Sequence, residues 1–183
     1  MIAVWIVLGV VVLLLLWGIA TYNRLVRSRN QIDNAWSQID VQLRRRYDLI
    51  PNLVNTVKGY AAHEKSIFEN VATARSAGIA AKTVGEQAQA ENMITQSLRQ
   101  LLAVAENYPD LKANQNFLAL QEELTGTEGR IAFARQFYND QVLGYNNLIQ
   151  QFPSSVIAGM GNFTKREFFQ IEEAAAGPVQ VQF

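Results

Sequence analysis

The sequence predicts an all-α protein in which an N-terminal transmembrane helix continues into an antiparallel four-helix bundle, followed by a short C-terminal helix and an extended tail. Residues 2–20 form an apolar run without a charged side chain, and apolar residues then recur at steps of three and four. Only four of the 183 residues are prolines, which suits long helices. The predicted boundaries are 1–21 for the signal anchor, 22–176 for the bundle and 177–183 for the tail.

The first nineteen apolar residues are long enough to cross a membrane. At about 1.5 Å per residue they give roughly 28 Å of helix, close to the thickness of a hydrocarbon core. Trp5 and Trp17 lie near the two ends, and Tyr22 follows, where aromatic rings prefer the membrane interface. A cleaved signal peptide would need a charged start, a shorter apolar core and a small-residue cleavage site. The pattern therefore favours an uncleaved anchor.

The basic residues behind the anchor predict its orientation. Arg24, Arg27 and Arg29 follow the span at once, and no Lys or Arg precedes it. The positive-inside rule then places the N-terminus outside and the bundle in the cytoplasm. The expected location is the inner membrane of a bacterium. The same arginines are expected to meet anionic headgroups. Net charge is zero, but residues 21–60 hold seven Lys/Arg against three acids, and residues 61–183 hold nine against thirteen.

The first helix is predicted to run from the anchor to about residue 76, with a kink at Pro51. A stripe of apolar residues carries this prediction, and it is typical of a bundle or coiled-coil seam. Its members are Ile32, Trp36, Ile39, Leu43, Tyr47, Ile50, Val54, Val57, Ala61, Phe68 and Val71. Because Trp36 lies on this stripe, it is predicted to pack in the core and not to bind a ligand. Arg44, Arg45 and Arg46 are expected to face away from the stripe.

Two more long helices are predicted after a turn at residues 77–82. Thr83 and Glu86 have the spacing of a capping box, which opens a second helix ending near residue 107. Pro109 suits the start of a third helix that ends near residue 151, with a break or bend where its two central glycines lie.

The C-terminal region is predicted to contain a loop, a short helix and a tail. Residues 159–161 are expected to form a flexible loop, and residues 164–176 a short amphipathic helix. The tail alternates apolar and polar residues like a single strand, which suits addition to another subunit.

The run from Tyr22 to Val54 resembles the signature of the LemA family, through Asp33-Asn34-Ala35-Trp36 and Asp48-Leu49-Ile50-Pro51-Asn52 in particular. Tyr108-Pro109, Tyr138-Asn139 and Phe152-Pro153 also resemble it. The resemblance implies one N-terminal span carrying a four-helix bundle in the cytoplasm and no established biochemical activity. It also implies an association with membrane-envelope functions and with genes for membrane-bound zinc proteases.

The residue types exclude several kinds of site. His63 is the only histidine and the chain has no cysteine, so a zinc site of the usual kind and a di-iron bundle are not expected. The glycines at 159 and 161 lack the third glycine and the preceding strand of a nucleotide site. An arginine triple without a wider basic surface does not indicate nucleic-acid binding. No cofactor, metal or nucleic acid is therefore predicted.

Glu128 and Arg135 fall on the apolar phase of the third helix, so they are predicted to form an inward polar pair. Other acidic and basic residues nearby are expected to form surface ion pairs. A hydrolase that uses the inward carboxylates is the third functional hypothesis, and it requires a concave pocket around Glu128.

The leading hypothesis is a non-enzymatic scaffold that acts through homo-oligomeric assembly at the membrane. Its candidate interface comprises Trp36, Arg44, Arg45, Arg46 and Phe183. The second hypothesis is an adaptor that presents partners to a membrane protease or an envelope complex.

Overall fold

The computed structural model describes residues 1–170, which contain six helices and no strand. This confirms the predicted all-α class. The helices are α1 (Ile2–Lys58), α2 (Lys65–Ala80), α3 (Val84–Ala105), α4 (Pro109–Lys112), α5 (Gln115–Gln150) and α6 (Ser154–Met160). The predicted tail at 177–183 and the second half of the predicted helix at 164–176 lie outside the described residues.

The chain forms two compact units. The first contains residues 1–42 and 130–168, and the second contains residues 43–129 with the described residues 169 and 170. The two longest helices, α1 and α5, each contribute to both units. The predicted boundary at residue 21 lies inside α1.

In the first unit α1 and α5 run antiparallel. Trp36 packs edge-on against Tyr138, with 5.4 Å between ring centroids, and Tyr22 packs edge-on against Phe163 at 5.6 Å. Residues later in α1 therefore contact residues that come earlier in the returning chain. The buried apolar residues are Leu25, Ile32, Ala35, Ile39, Ile131, Ala134, Tyr138, Val142, Tyr145, Leu148, Ile149 and Ala158.

Among the described residues, α1 is the one helix that is long and apolar enough to cross a membrane by length and composition. None of its most apolar window is buried within the chain. The core helix of a water-soluble domain would bury much of such a run, whereas this run is exposed. The first part of α1 is therefore a candidate membrane span.

The second unit is built from the end of α1, the α2–α3 pair, α4 and the beginning of α5. The capping box that opens α3 is confirmed, since Thr83 accepts from the backbone N–H of Glu86 and the Glu86 carboxylate accepts from that of Thr83. The buried apolar residues of this unit, apart from Phe169, are Leu43, Tyr47, Leu49, Ile50, Leu53, Val57, Ala61, Val71, Ala74, Ala88, Ala90, Ile94, Leu98, Leu101, Ala105, Leu111, Phe117 and Leu124.

The prediction of one helix from the anchor to residue 76 was wrong, because α1 ends at Lys58 and α2 begins at Lys65. Pro51 lies inside α1 and does not end it. The chain turns at Gly59 and Tyr60, where the Tyr60 N–H donates to the Val57 carbonyl in a tight turn. Members of the apolar stripe are buried on both sides of this turn in the same unit, among them Val57, Ala61 and Val71.

The third helix is also divided, although not at the two glycines. A four-residue helix, α4, starts at Pro109 as predicted, and α5 then begins at Gln115. Asn114 caps this new start, since its Oδ1 accepts from the Phe117 N–H over 3.1 Å. Helix α5 continues without a break through Gly126 and Gly129, so the predicted break there was wrong.

The predicted helix at 164–176 does not form over its described part, because residues 163–170 are not helical. Side chains of α5 bind this backbone instead. Asn146 donates from Nδ2 to the Arg166 carbonyl and accepts from the Arg166 N–H, both over 2.9 Å, and the Tyr138 hydroxyl donates to the Glu167 carbonyl. The short C-terminal helix lies earlier, in α6, where a loop was predicted around residues 159–161.

Candidate functional site

A buried ion pair lies at the centre of the second unit. Arg46 on α1 is 1% exposed and Glu91 on α3 is fully buried. Nη1 of Arg46 donates to Oε2 of Glu91 over 2.7 Å, and Nη2 donates to Oγ1 of Thr95 over 2.9 Å. Two charges this deep are retained only when they are paired and hydrogen-bonded, and both conditions hold here.

Two neutral side chains complete the hydrogen bonding of Glu91. The Tyr47 hydroxyl donates to Oε1 of Glu91 in a very short hydrogen bond, and Nε2 of Gln87 donates to the same oxygen over 2.9 Å. Nε2 of Gln87 also lies 2.6 Å from the Tyr47 hydroxyl oxygen. Burial, with the negative charge of Glu91, raises the pKa of Tyr47. The hydroxyl is therefore a fixed donor and not a base.

Glu128 on α5 brings a second carboxylate to the network. Its Oε1 is buried and lies 2.8 Å from Nε of Arg46, as an ion pair whose angle is too bent for a hydrogen bond. Burial raises the pKa of Glu128, while the nearby Arg46 charge acts in the opposite direction. Glu91 adds to the rise, and Arg99 opposes it. One guanidinium thus faces two carboxylates contributed by two different helices.

Helix α2 packs closely against this network at a glycine. A Cβ added at Gly78 would lie 2.6 Å from the Tyr47 hydroxyl oxygen and 3.1 Å from Cδ1 of Ile94. Only a residue without a side chain lets α2 come this close. Arg75, one turn earlier, donates from Nε to the Tyr47 carbonyl over 2.8 Å.

The expectation that Arg46 faces away from the core was wrong. Buried positions on α1 follow the steps 39, 43, 46, 50, 53 and 57, and Arg46 lies on this line between Leu43 and Ile50. The same signal exists on α3, where Gln87 and Glu91 precede Ile94, Leu98 and Leu101 at steps of four and three. Sequence reasoning missed these polar residues because only apolar members of each stripe were counted as inward.

The other residues of the candidate assembly interface lie in different surroundings. Trp36 is half-buried against Tyr138, in agreement with a core role. Arg45 is exposed and pairs with Glu123 of the same chain over 2.8 Å. Arg44 is exposed, and Phe183 lies outside the described residues. Arg46 is buried within the chain and offers no surface to a partner, so it is not a candidate interface residue.

The ion pair that Glu128 forms is with Arg46 and not with Arg135. Arg135 is half-buried in the first unit, and Glu128 belongs to the second. Seven residues separate the two on α5, which is roughly 10 Å of helix. A long-range partner therefore replaces the local one that the spacing suggested.

The candidate membrane-interface residues lie along the first 29 residues of α1, and all of them are exposed. Trp5, Trp17 and Tyr22 present their rings outside the first unit's core, and Arg24, Arg27 and Arg29 follow. The Arg29 guanidinium lies 5.4 Å from the centre of the Phe163 ring, as a cation–π contact.

The chemistry of the buried network is that of structural positioning. Glu91 accepts from three donors, and the Arg46 guanidinium reaches Glu91, Thr95 and Glu128. A buried network that links α1, α3 and α5 in this way restrains the register of the helices that contribute to it. Across residues 1–170, no three His, Cys, Asp or Glu side chains are grouped so as to hold a metal ion.

These features define an all-helical protein with a candidate N-terminal membrane span and a buried ionic network in its second unit. The sequence profile described as the LemA family matches residues 35–183. The chain therefore belongs to the LemA family, as the resemblance of its first helix implied.

Individual relatives are more distant. The chain is 27% identical to magnetosome protein MamQ 2 of Paramagnetospirillum magneticum over 184 residues, which cover 86% of this chain and 68% of the relative. It is 26% identical to magnetosome protein MamQ of Magnetospirillum gryphiswaldense over the same shares. It is 27% identical to protein LemA of Metamycoplasma hominis over 153 residues, covering 82% and 69%.

Proposed function

We propose that this protein is a non-enzymatic scaffold, anchored in the bacterial inner membrane, that works through homo-oligomeric assembly. The observation that carries the proposal is a pair of exposed aromatic residues on α5 in the first unit. Phe133 is 75% exposed and Phe137 is 40% exposed. They are one helical turn apart, so their rings share one face. Contiguous exposed apolar surface of this kind marks an interaction site.

The inferred partner is a second copy of the same chain. A single N-terminal anchor orients every copy in the same way, so the α5 helices of neighbouring copies meet in parallel. Phe133 and Phe137 then face their own counterparts across a two-fold axis, which is the commonest symmetry of homo-oligomers. The network around Arg46 supports a positioning role, because it stiffens the second unit instead of exposing a reactive group.

Light scattering on the purified full chain in detergent tests the assembly. The wild type is expected to be oligomeric at micromolar concentration, and the double variant Phe133→Ser/Phe137→Ser to shift toward monomer. Leu118→Ser is the matched control, because Leu118 is an exposed apolar residue of α5 in the other unit. A wild type that is strictly monomeric contradicts the proposal.

Crosslinking in membranes, followed by mass spectrometry, separates a scaffold from an adaptor. Self-links through residues near Phe133 are expected to dominate for a scaffold. Dominant links to a membrane protease or another envelope protein would instead support the adaptor.

The proposed topology has the N-terminus outside and the helical units in the cytoplasm. The three arginines directly behind the span support it, since cytoplasmic flanks are enriched in Lys and Arg. A reporter fused after Phe183 should be active only if it functions in the cytoplasm. Activity of a periplasm-specific reporter at that position would reverse the topology.

A further inference from the structure

The short helix α6 lies beside the end of the candidate membrane span. A Cβ added at Gly18 would stand 3.7 Å from Cδ1 of Ile157, so the two helices touch there. Gly18 is two residues before Ala20, the last residue of the apolar run, or about 3 Å along the helix axis. If residues 2–20 span the bilayer, Ile157 is held at the depth where hydrocarbon gives way to headgroups.

The outer face of α6 is apolar and exposed. Phe152, just before the helix, is 84% exposed, Val156 is 53% exposed and Met160 is 79% exposed. Val156 and Met160 are four residues apart on α6, so they lie on one side of it, and Phe152 precedes the helix. Ser154 and Ala158 are buried on the other side. The helix therefore packs on its own unit with one face and leaves an apolar ridge uncovered.

Charge distribution along the chain marks the same region. Residues 141–164 contain no Lys, Arg, Asp or Glu, which makes them the longest uncharged stretch in the chain, slightly longer than residues 1–23 at the anchor. They comprise the end of α5, all of α6 and the residues after it. This is the part of the first unit where the chain returns antiparallel to α1, as the contact of Tyr22 with Phe163 shows.

Basic residues lie at the edge of this apolar surface. The uncharged stretch ends at Lys165 and Arg166, and Phe163 packs against Arg29. Arg24 and Arg27 lie on the adjoining turns of α1. The first unit as a whole holds seven Lys/Arg against four Asp/Glu. An apolar ridge bordered by cations is the pattern of a surface that rests in a membrane interface containing anionic lipid.

We propose that α6 and Phe152 form a second membrane contact, with Phe152, Val156 and Met160 inserted at the headgroup–acyl boundary of the bilayer that α1 crosses. The occupant of the ridge is lipid and not protein, because α6 touches the candidate span where Ile157 meets Gly18. A helix of seven residues is roughly 10 Å long, which fits the interfacial layer. Two contacts, one spanning and one lying in the interface, fix the tilt and rotation of the first unit relative to the membrane.

Site-directed labelling tests this on the full chain, which has no native cysteine. Met160→Cys and Val156→Cys are labelled with an environment-sensitive fluorophore. The protein is placed as one copy per disc in phosphatidylcholine–phosphatidylglycerol nanodiscs. Some of the lipids carry a nitroxide quencher near the headgroup end of the acyl chain. Leu14→Cys in the span is the positive control, and Phe133→Cys, also exposed and apolar, is the aqueous control.

We expect labels at 156 and 160 to emit at shorter wavelength than the label at 133 and to be quenched by the nitroxide lipids. Labels at 156 and 160 that match the label at 133, while the label at 14 is in lipid, overturn the second contact. An unquenched label at 14 overturns the anchor as well. Single-copy discs remove homo-oligomers, so these outcomes are independent of the proposed assembly through Phe133.

Discussion

Nη1 of Arg46 lies 2.7 Å from Oε2 of Glu91, and both side chains are buried in the second unit. The adjacent residue on α1, Arg45, lies 2.8 Å from Glu123, but that pair is exposed to solvent. Two consecutive arginines therefore make ion pairs of nearly equal length in opposite environments. Because water weakens the exposed pair and leaves the buried one unscreened, their contributions to stability should differ strongly.

Glu91→Gln should lower the free energy of unfolding by about 3–5 kcal/mol, since it removes one partner of a buried pair and leaves charge on Arg46. Glu123→Gln is the matched control, and it should cost less than about 1 kcal/mol. Denaturant unfolding of the full chain in a mild detergent measures both values. Equal losses for the two variants would show that the Arg46 network contributes no more than a surface pair.

A second prediction follows from the close approach of Gly78 to Tyr47. Gly78→Ala should destabilise by about 1–2 kcal/mol, because overpacking against the Tyr47 ring outweighs the gain in helix propensity. Gly126→Ala, on α5 with no atom within 4 Å of the added Cβ, should instead stabilise by about 0.5–1 kcal/mol.

Tyr47→Phe provides the test of mechanism for this contact. It removes the hydroxyl that lies nearest to the added methyl group, so the cost of Gly78→Ala should be smaller in the Tyr47→Phe background. Unfolding free energies of the two single variants and the double variant measure this coupling. Strict additivity would mean that the methyl group is accommodated elsewhere.

Glu128 should make stability fall as pH rises. Its folded-state pKa is raised above the ordinary 4.5, so the folded chain keeps this proton where the unfolded chain has lost it. The contribution is therefore complete below about pH 4.5 and is lost as pH rises through the folded pKa. Glu128→Gln lacks this loss, so its stability advantage over the wild type should grow above pH 4.5 and then level off.

Thermal midpoints at a series of pH values measure this effect in the two proteins. Glu122→Gln, the same substitution at an exposed position on the same helix, is the control. An advantage of Glu128→Gln that shrinks with rising pH would contradict the assigned direction of the pKa shift.

Local sequence patterns predicted the fold class, the candidate span and the capping box, because each depends on residues close together in sequence. The polar network could be predicted in part from the sequence, since Arg46 and Glu91 occupy inward positions on their helices. Periodicity does not select partners, however. Local spacing suggested Arg135 for Glu128, whereas the ion pair forms with Arg46 on a distant part of the chain.

Helix ends that depend on tertiary contacts were not predictable from pattern alone. Phe168 and Phe169 suggested an amphipathic helix, but Asn146 and Tyr138 supply the backbone hydrogen bonds of that segment and hold it non-helical. The exposed pair Phe133 and Phe137 was also missed, although it had a signal. Its spacing of four lies off the buried line of Ile131, Ala134 and Tyr138.

The segment after α6 should depend on one amide side chain. Asn146 makes two hydrogen bonds with the Arg166 backbone, and it is buried, whereas Asn147 beside it is exposed. Asn146→Ala removes both bonds and leaves the Arg166 N–H without this acceptor. Hydrogen exchange at the Arg166 amide should therefore become much faster, while Asn147→Ala should leave it unchanged. The ion pair of Arg166 with Asp33 is exposed and should not preserve protection by itself. Unchanged exchange in Asn146→Ala would show that other contacts hold this segment against α5.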